Sequence, residues 1–235
     1  MDEIYLPTFN SHAIEANLHK IPHLREFYLY FNDDYIFGRP VSINDFFNST
    51  CLVIYGDDRL TSNTNVSLNI HKRAMLNTNA ILDNQGFTNR TRHFLPHAPH
   101  PLRKSVAEEL WSKTFSEIHR QQSSHRFRDM RDIHPTYFLS QYLLEQGYCV
   151  EQRRMKSTCV YGEDFCNQVL TNNLGKVRQF FDRLRMLSLM PKFLSINDRT
   201  SSNYTKQHII HREFEGFLKD LFPKISRFES NDCTL

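Results

Sequence analysis

The sequence lacks any long apolar run. No segment approaches the roughly 18 consecutive apolar residues that a membrane-spanning helix requires, so no transmembrane segment is expected. Metal-binding cysteine patterns are missing as well. Cys51, Cys149, Cys159, Cys166 and Cys233 are odd in number and widely spaced, with neither a CxxC pair nor a Cys/His zinc spacing. They are expected to be reduced thiols, without a structural zinc. Charge of one sign is scarce: 29 Lys and Arg stand against 26 Asp and Glu, a net charge of +3. That excess is too small and too scattered to argue for nucleic acid. The opening segment MDEIYLPTF has neither a basic n-region nor an apolar h-region, which makes a cytoplasmic chain the expectation, at most peripheral to the inner membrane face. The formal glycosylation sequons at Asn48, Asn65, Asn89 and Asn203 are then expected to be chance. No repeat, low-complexity tract or linker interrupts residues 1–235, so a single domain is the economical organisation.

What is present is ordinary globular material, 40% apolar and 23% charged over 235 residues. Ser11 offers an N-cap for a short amphipathic helix between Thr8 and His19. A strand Phe27–Phe31 follows, then a turn at Gly38-Arg-Pro, a helical turn Ile43–Phe47 and an apolar strand Cys51–Tyr55. Residues 57–67 are polar and read as a loop. Ile70–Leu82 has helical periodicity, and Gly86–Pro101 reads as an irregular loop. Helices are expected over Lys104–His119, Pro135–Gln146, Leu174–Leu187 and Thr205–Phe222, with strands at Thr158–Tyr161 and Phe193–Ile196. Strands alternating with helices predict an α/β fold, a layered sheet with flanking helices.

Two strands end in the same chemistry: FYLYFNDD over residues 27–34 and FLSIND over 193–198. In open α/β sheets ligands gather at the carboxyl ends of strands. Asp33, Asp34 and Asp198, supported by Asn32 and Asn197, could therefore surround one phosphate or one hard cation such as Mg²⁺ or Mn²⁺. An isolated Asn-Asp-Asp is more often a turn, and it is the repetition of the pattern that favours a site. Between the two lies His97-Ala-Pro-His100-Pro-Leu-Arg103-Lys104. A neutral imidazole at His97 suits general-base work near neutrality, whereas its bland reading is a loop-packing residue. The segment His125-Arg-Phe-Arg128-Asp-Met-Arg131-Asp132 is a cationic knot whose guanidinium forks fit phosphate oxygens, although alternating charge is usually a solvated surface. Most of the twelve histidines, including His12, His19, His71, His119 and His208, sit in amphipathic contexts. They read as surface or satisfied core residues.

Taken in order, these segments resemble the Stealth family of sugar-1-phosphate transferases, which includes bacterial capsule polymerases and the α/β precursor of the lysosomal-enzyme N-acetylglucosamine-1-phosphotransferase. Residues 6–47 resemble its second conserved block, residues 97–132 its third, and PKFLSINDRTS over 191–201 with the helix ending in LFPKISRFE its fourth. The resemblance implies a Rossmann-like nucleotide-sugar transferase core. It also implies transfer of a sugar 1-phosphate from a nucleotide diphosphate sugar, a UDP-sugar above all, to a glycan hydroxyl, with release of the nucleoside monophosphate. On it, His97 matches a base, Arg128 an arginine near the phosphates, and Asp33, Asp34 and Asp198 the block acids that could hold the metal. Asn32, His100, Arg103, Lys104, Arg131, Asp132 and Asn197 are the substrate-binding candidates.

The family's first block would precede residue 1, so the expectation is a partial domain, complemented by another chain or by self-association, and nearly inactive alone. A non-catalytic module that binds a glycan or a partner is the main alternative, and a metal-dependent glycosyltransferase a weaker one.

Overall fold

The computed structural model describes residues 3–48, 51–57, 69–87, 92–148, 150–155, 159, 164–200, 204–224 and 226. They fall into two compact units. One comprises Met1–Asp33 with Val41–Ser157, and the other Asp34–Pro40 with Thr158–Leu235. The class is α/β, as the alternation of elements predicts, and among the described residues the strands are distributed over three sheets.

In the first unit, α1 (Ser11–Ala16) starts one residue earlier than expected: its N-cap is Asn10, whose side chain accepts from the His12 backbone at 3.0 Å. A 3-10 turn, Leu18–Lys20, takes up the remainder of the expected helix. β1 (Phe27–Tyr30) pairs antiparallel with β5 (His100–Arg103), setting Tyr30 opposite His100 and Phe27 opposite Arg103. That strand lies at the end of what the sequence reads as irregular loop. β4 (Cys51–Asp57) is buried along almost its whole length, as its apolar run requires. It pairs antiparallel with the short β3 (Phe47–Asn48) and parallel with β6 (Val150–Met155).

Helix α2 (Ile70–Asn84) is capped by Asn69, and α5 (Pro135–Glu145) begins with proline in its first turn as expected. The single helix expected over Lys104–His119 is instead α3 (Lys104–Glu109), a π-helical turn at Leu110–Thr114, and α4 (Ser116–Ser124). The break lets Leu110, Trp111 and Phe115 all enter the core with Tyr137, Phe138, Leu102 and Ile54. Each fully buried side chain of this kind stabilises by about 1.5–3 kcal/mol relative to exposure.

In the second unit, β7 (Phe165–Leu170), α6 (Leu174–Arg185) and β8 (Phe193–Asp198) form a parallel βαβ element. β2 (Tyr35–Phe37) pairs antiparallel on the other side of β8, so β8 is central. Gly38 follows β2 where a Cβ would collide with the Pro191 carbonyl. α6 and α7 (Tyr204–Leu221) pack Phe180, Phe181, Leu184, Ile210 and Phe217 against Leu194 and Ile196. The strand expected at Thr158–Tyr161 lies, apart from Cys159, outside the described residues, as does nearly all of the 57–67 segment.

The cysteines correct the reduced-thiol expectation. Cys159 and Cys166 form a disulfide within the second unit, and Cys51 in the first is also disulfide-bonded. The alternation of β7 turns Cys166 toward the apolar cluster around α6, beside Leu170.

Candidate active site

Four segments of the first unit bring imidazoles together, and a fifth adds a guanidinium. α1 contributes His12, the start of α2 His71, the approach to β5 His97, and the start of α5 His134. Ring centroids lie 4.9 Å apart for His71 and His134, 5.6 Å for His12 and His134, 5.9 Å for His71 and His97, and 6.5 Å for His12 and His71. Glu15, one helical turn along α1 from His12, is buried beside them. Its Oε2 accepts from Thr136 Oγ1 at 2.9 Å and stands 3.9 Å from His134 Nδ1. Tyr30, at the end of β1, supplies a further side-chain hydrogen bond to Glu15.

Arg128 joins this cluster from the fifth segment. Its Nη2 and Nε donate to Ser11 Oγ at 2.6 and 3.1 Å, and its charge reaches Glu15. The segment is pinned by Asp132, whose side chain is wholly buried. Asp132 accepts from Asn10 Nδ2 at 2.8 Å and from the Asp129 backbone at 3.0 Å. It also meets His125 Nδ1 at 2.6 Å and lies 3.4 Å from His12 Nδ1. One carboxylate thereby ties the 125–132 loop to the N-terminus of α1.

Burial sets the protonation of this region. It drives His134 well below the ordinary histidine value, with the neighbouring imidazoles of His71, His12, His100 and His97 adding to the effect. His134 Nδ1 accepts from the Tyr137 backbone at 3.3 Å, so the neutral ring carries its proton on Nε2. Burial and His97 push His100 down to about 3. Glu15 moves the other way: burial raises it, against the pull of His12, Thr136, Tyr30 and Arg128. Burial would raise Asp132 too, but its hydrogen bonds to His12, His125, the Asp129 amide and Asn10 hold it below the usual carboxylate range. The result is that His134 and His100 stay neutral near a Glu15 inclined to hold its proton.

Of the residues expected from the sequence, His97, His100, Arg128 and Asp132 belong to this cluster. Arg103 and Lys104 do not: at the far end of β5, Arg103 Nε donates to Glu26 at 2.6 Å and Lys104 pairs with Glu108 at 3.6 Å. Arg131 is exposed, bonded through Nε to Asp129 at 2.8 Å and 3.4 Å from His125 Nε2. Asn32 is half-buried and Asp33 exposed at the end of the first unit's opening stretch.

The second unit holds the other acids. Asp34 accepts from Asn197 Nδ2 and, at 3.3 Å, from Ser195 Oγ, while its carbonyl accepts the Ile196 amide at 3.0 Å. Asp198 meets His211 Nε2 of α7 at 2.9 Å and accepts the Thr200 amide at 2.6 Å. Because side chains alternate along a strand, Ser195 and Asn197 share one face of β8 and Asp198 lies on the other, with Leu194 and Ile196. Asp34 and Asp198 therefore engage opposite faces of the sheet. Among the described residues no group of three or more His, Cys, Asp or Glu is arranged to hold a metal ion.

Sequence reasoning missed His12, Glu15, His71 and His134. Read alone, each is one polar residue on an amphipathic helix or at its cap. The available signal was that His12 and Glu15 share a face of α1 at a spacing of three.

Four of the five segments that build the cluster fall in regions matched by family models. Residues 1–54 match the model of Stealth protein CR2, conserved region 2, and residues 96–145 that of Stealth protein CR3, conserved region 3. Over 230 residues, 94% of this chain and 59% of the relative, it is 31% identical to a capsular polysaccharide phosphotransferase of Haemophilus influenzae. It is 29% identical over 231 residues to one of Neisseria meningitidis serogroup B, covering 94% of this chain and 58% of that protein. It is 34% identical over 184 residues to the exopolysaccharide phosphotransferase CpsY of Mycobacterium tuberculosis (strain ATCC 25618 / H37Rv), covering 76% and 34%. The chain thus spans between a third and three fifths of these curated relatives. His12, Glu15 and Tyr30 fall in the first matched region, and His97, His100, Arg128, Asp132 and His134 in the second. With both conserved regions present and contributing to one cluster of side chains, the chain belongs to the Stealth family.

Proposed function

We propose that this chain contributes the reacting centre of a sugar-1-phosphate transferase, with a UDP-sugar as donor and a glycan hydroxyl as acceptor. The observation that carries this reading is the convergence of His97 and Arg128 on one desolvated cluster around Glu15. In the reaction, the acceptor oxygen attacks the phosphorus that bears the sugar. The new O–P bond forms as the bond to the bridging oxygen of the nucleotide breaks, and the nucleoside monophosphate departs. His97 takes the hydroxyl proton. The cationic fork of Arg128 offsets the charge on the transferring phosphoryl group, and positioning supplies most of the remaining acceleration. No step is routed through a metal.

Two further points follow for this reading. The disulfides at Cys51 and at Cys159–Cys166 weigh against the cytoplasm and favour an oxidising compartment. The chain spans 59% of its Haemophilus relative, so the proposal concerns the reacting centre and not the whole of that protein.

The test is acceptor-dependent UMP release from a panel of UDP-sugars, with and without Mg²⁺ or Mn²⁺, by the chain alone and with a coexpressed first-block segment of a relative. His97→Ala should cut turnover by roughly 10²–10⁴ while leaving donor affinity nearly unchanged. Turnover intact with donor affinity weakened would remove the base from this account. No release under any condition would leave the glycan-binding reading.

A further inference from the structure

Beside the cluster, the surface carries a feature that its core does not need. Phe9 and Phe127 are each 64% exposed, yet their rings stack at 5.6 Å with an interplanar angle of 15°. The Arg126 guanidinium lies 5.5 Å from the Phe9 centroid and 5.9 Å from that of Phe127. Arg126 makes no ion pair with a carboxylate among the described residues. Two exposed aromatic rings and an unneutralised cation would ordinarily be left mobile, but these are fixed. The Phe9 amide donates to the Arg126 carbonyl at 2.8 Å, and Asn10 and Asp132 lock the two backbones from beneath. The ledge is also continuous with the proposed reacting centre: Phe9 lies two residues before Ser11, Phe127 one residue before Arg128, and Ser11 and Arg128 are hydrogen-bonded to each other.

We propose that Phe9, Phe127 and Arg126 form the acceptor subsite, taking a pyranose ring and the phosphodiester attached to it. The apolar C–H face of a pyranose stacks on aromatic rings as other apolar faces do, and a guanidinium suits a phosphodiester oxygen pair. A neutral glycan has no use for the cation. A glycan that has already received one sugar 1-phosphate carries a phosphodiester one unit from its next reacting hydroxyl, so the product of one transfer is the preferred acceptor of the next. This rests on the transferase reading for its meaning, but its binding chemistry can be measured without turnover.

The experiment uses two oligosaccharide probes of equal length, one with a single internal sugar-phosphodiester linkage and one wholly glycosidic. Their affinity for the purified chain is read by saturation-transfer NMR. The phosphodiester probe should bind at least about 5-fold more tightly, with saturation concentrated on pyranose C–H protons. Phe127→Ala and Phe9→Ala should weaken it by about 10-fold, and Arg126→Gln should abolish the preference between probes; all three sites are exposed, and unchanged far-UV circular dichroism checks the fold. Equal binding of both probes, absence of binding, or affinity indifferent to Phe127→Ala would overturn the subsite. Acceptor-dependent turnover with acceptor KM unmoved in Phe127→Ala would do the same while leaving the transferase reading intact. Selective binding without turnover would support the subsite and count against the transferase reading for this chain.

Discussion

The two units treat polar residues in opposite ways. In the first, His12, Glu15, His100, Asp132 and His134 are drawn into the interior, and burial is the leading influence on every shifted group among them. In the second, Asp198 and His211 meet at the end of β8 with about two fifths of each side chain exposed, above an all-apolar packing of α6 and α7. An Asp–His contact of similar length thus has two meanings. Where water is excluded, the remaining hydrogen bonds must all be made and the geometry is fixed; where water is present, either partner can leave at little cost.

The sharpest way to break this contrast is Asp132→Ala. It strands Asn10, His125 and the Asp129 amide in a dry interior, and should cost about 3–5 kcal/mol. Urea denaturation measures it; a loss below about 1 kcal/mol would show that the buried network is not what orders the 125–132 loop.

Acid comes next. His100 and His134, whose folded values lie below the ordinary 6.5, bind fewer protons folded than unfolded. Their contribution is present above about 6.5 and is lost as pH falls. For His100, with its folded value of about 3, the loss between pH 6.5 and pH 4 is about 3 kcal/mol. His19 and His119, each lowered to about 4 by burial and by Lys20, add in the same direction. Glu15, raised by burial, opposes it. All four histidines lie in the first unit, so hydrogen exchange at pH 4.5 should show amides of α5 opening well before those of β8. Simultaneous opening would contradict the difference drawn here.

Those same histidines mark the limit of what could be read from the chain alone. Pro135–Glu145, Leu174–Arg185 and Phe193–Asp198 were legible within about two residues, because periodicity and capping are local. β6, whose sequence is VEQRRM, was not, since its polar residues resemble a loop and only pairing with β4 makes it a strand. His97 and Arg128 stood out through neighbouring prolines and arginines. His71 and His134 become meaningful only when residues more than 60 positions apart are brought within 4.9 Å, which no local spacing encodes.

Two smaller effects probe the second unit. Cys159→Ser removes a link closing a separation of 7 residues and should cost about 2 kcal/mol. Alkylation followed by mass measurement should find Cys159 and Cys166 unmodified until reductant is added; ready labelling would contradict the bond. His211→Ala, at the half-exposed Asp198 pair, should change stability by no more than about 1 kcal/mol, seen as a nearly unmoved urea midpoint.

The chain's brief departure at Asp34–Pro40 has a consequence in time. This stretch belongs to the second unit, whose other residues begin at Thr158. During synthesis Asp34 therefore precedes its hydrogen-bond partner Ser195 by 161 residues. At about 5–20 residues per second, β2 waits roughly 8–30 s for β8 to exist. For that interval Tyr35, Ile36 and Phe37 form an unclaimed strand between segments that can already fold. The second unit cannot complete its three-stranded sheet until Asp198 has emerged.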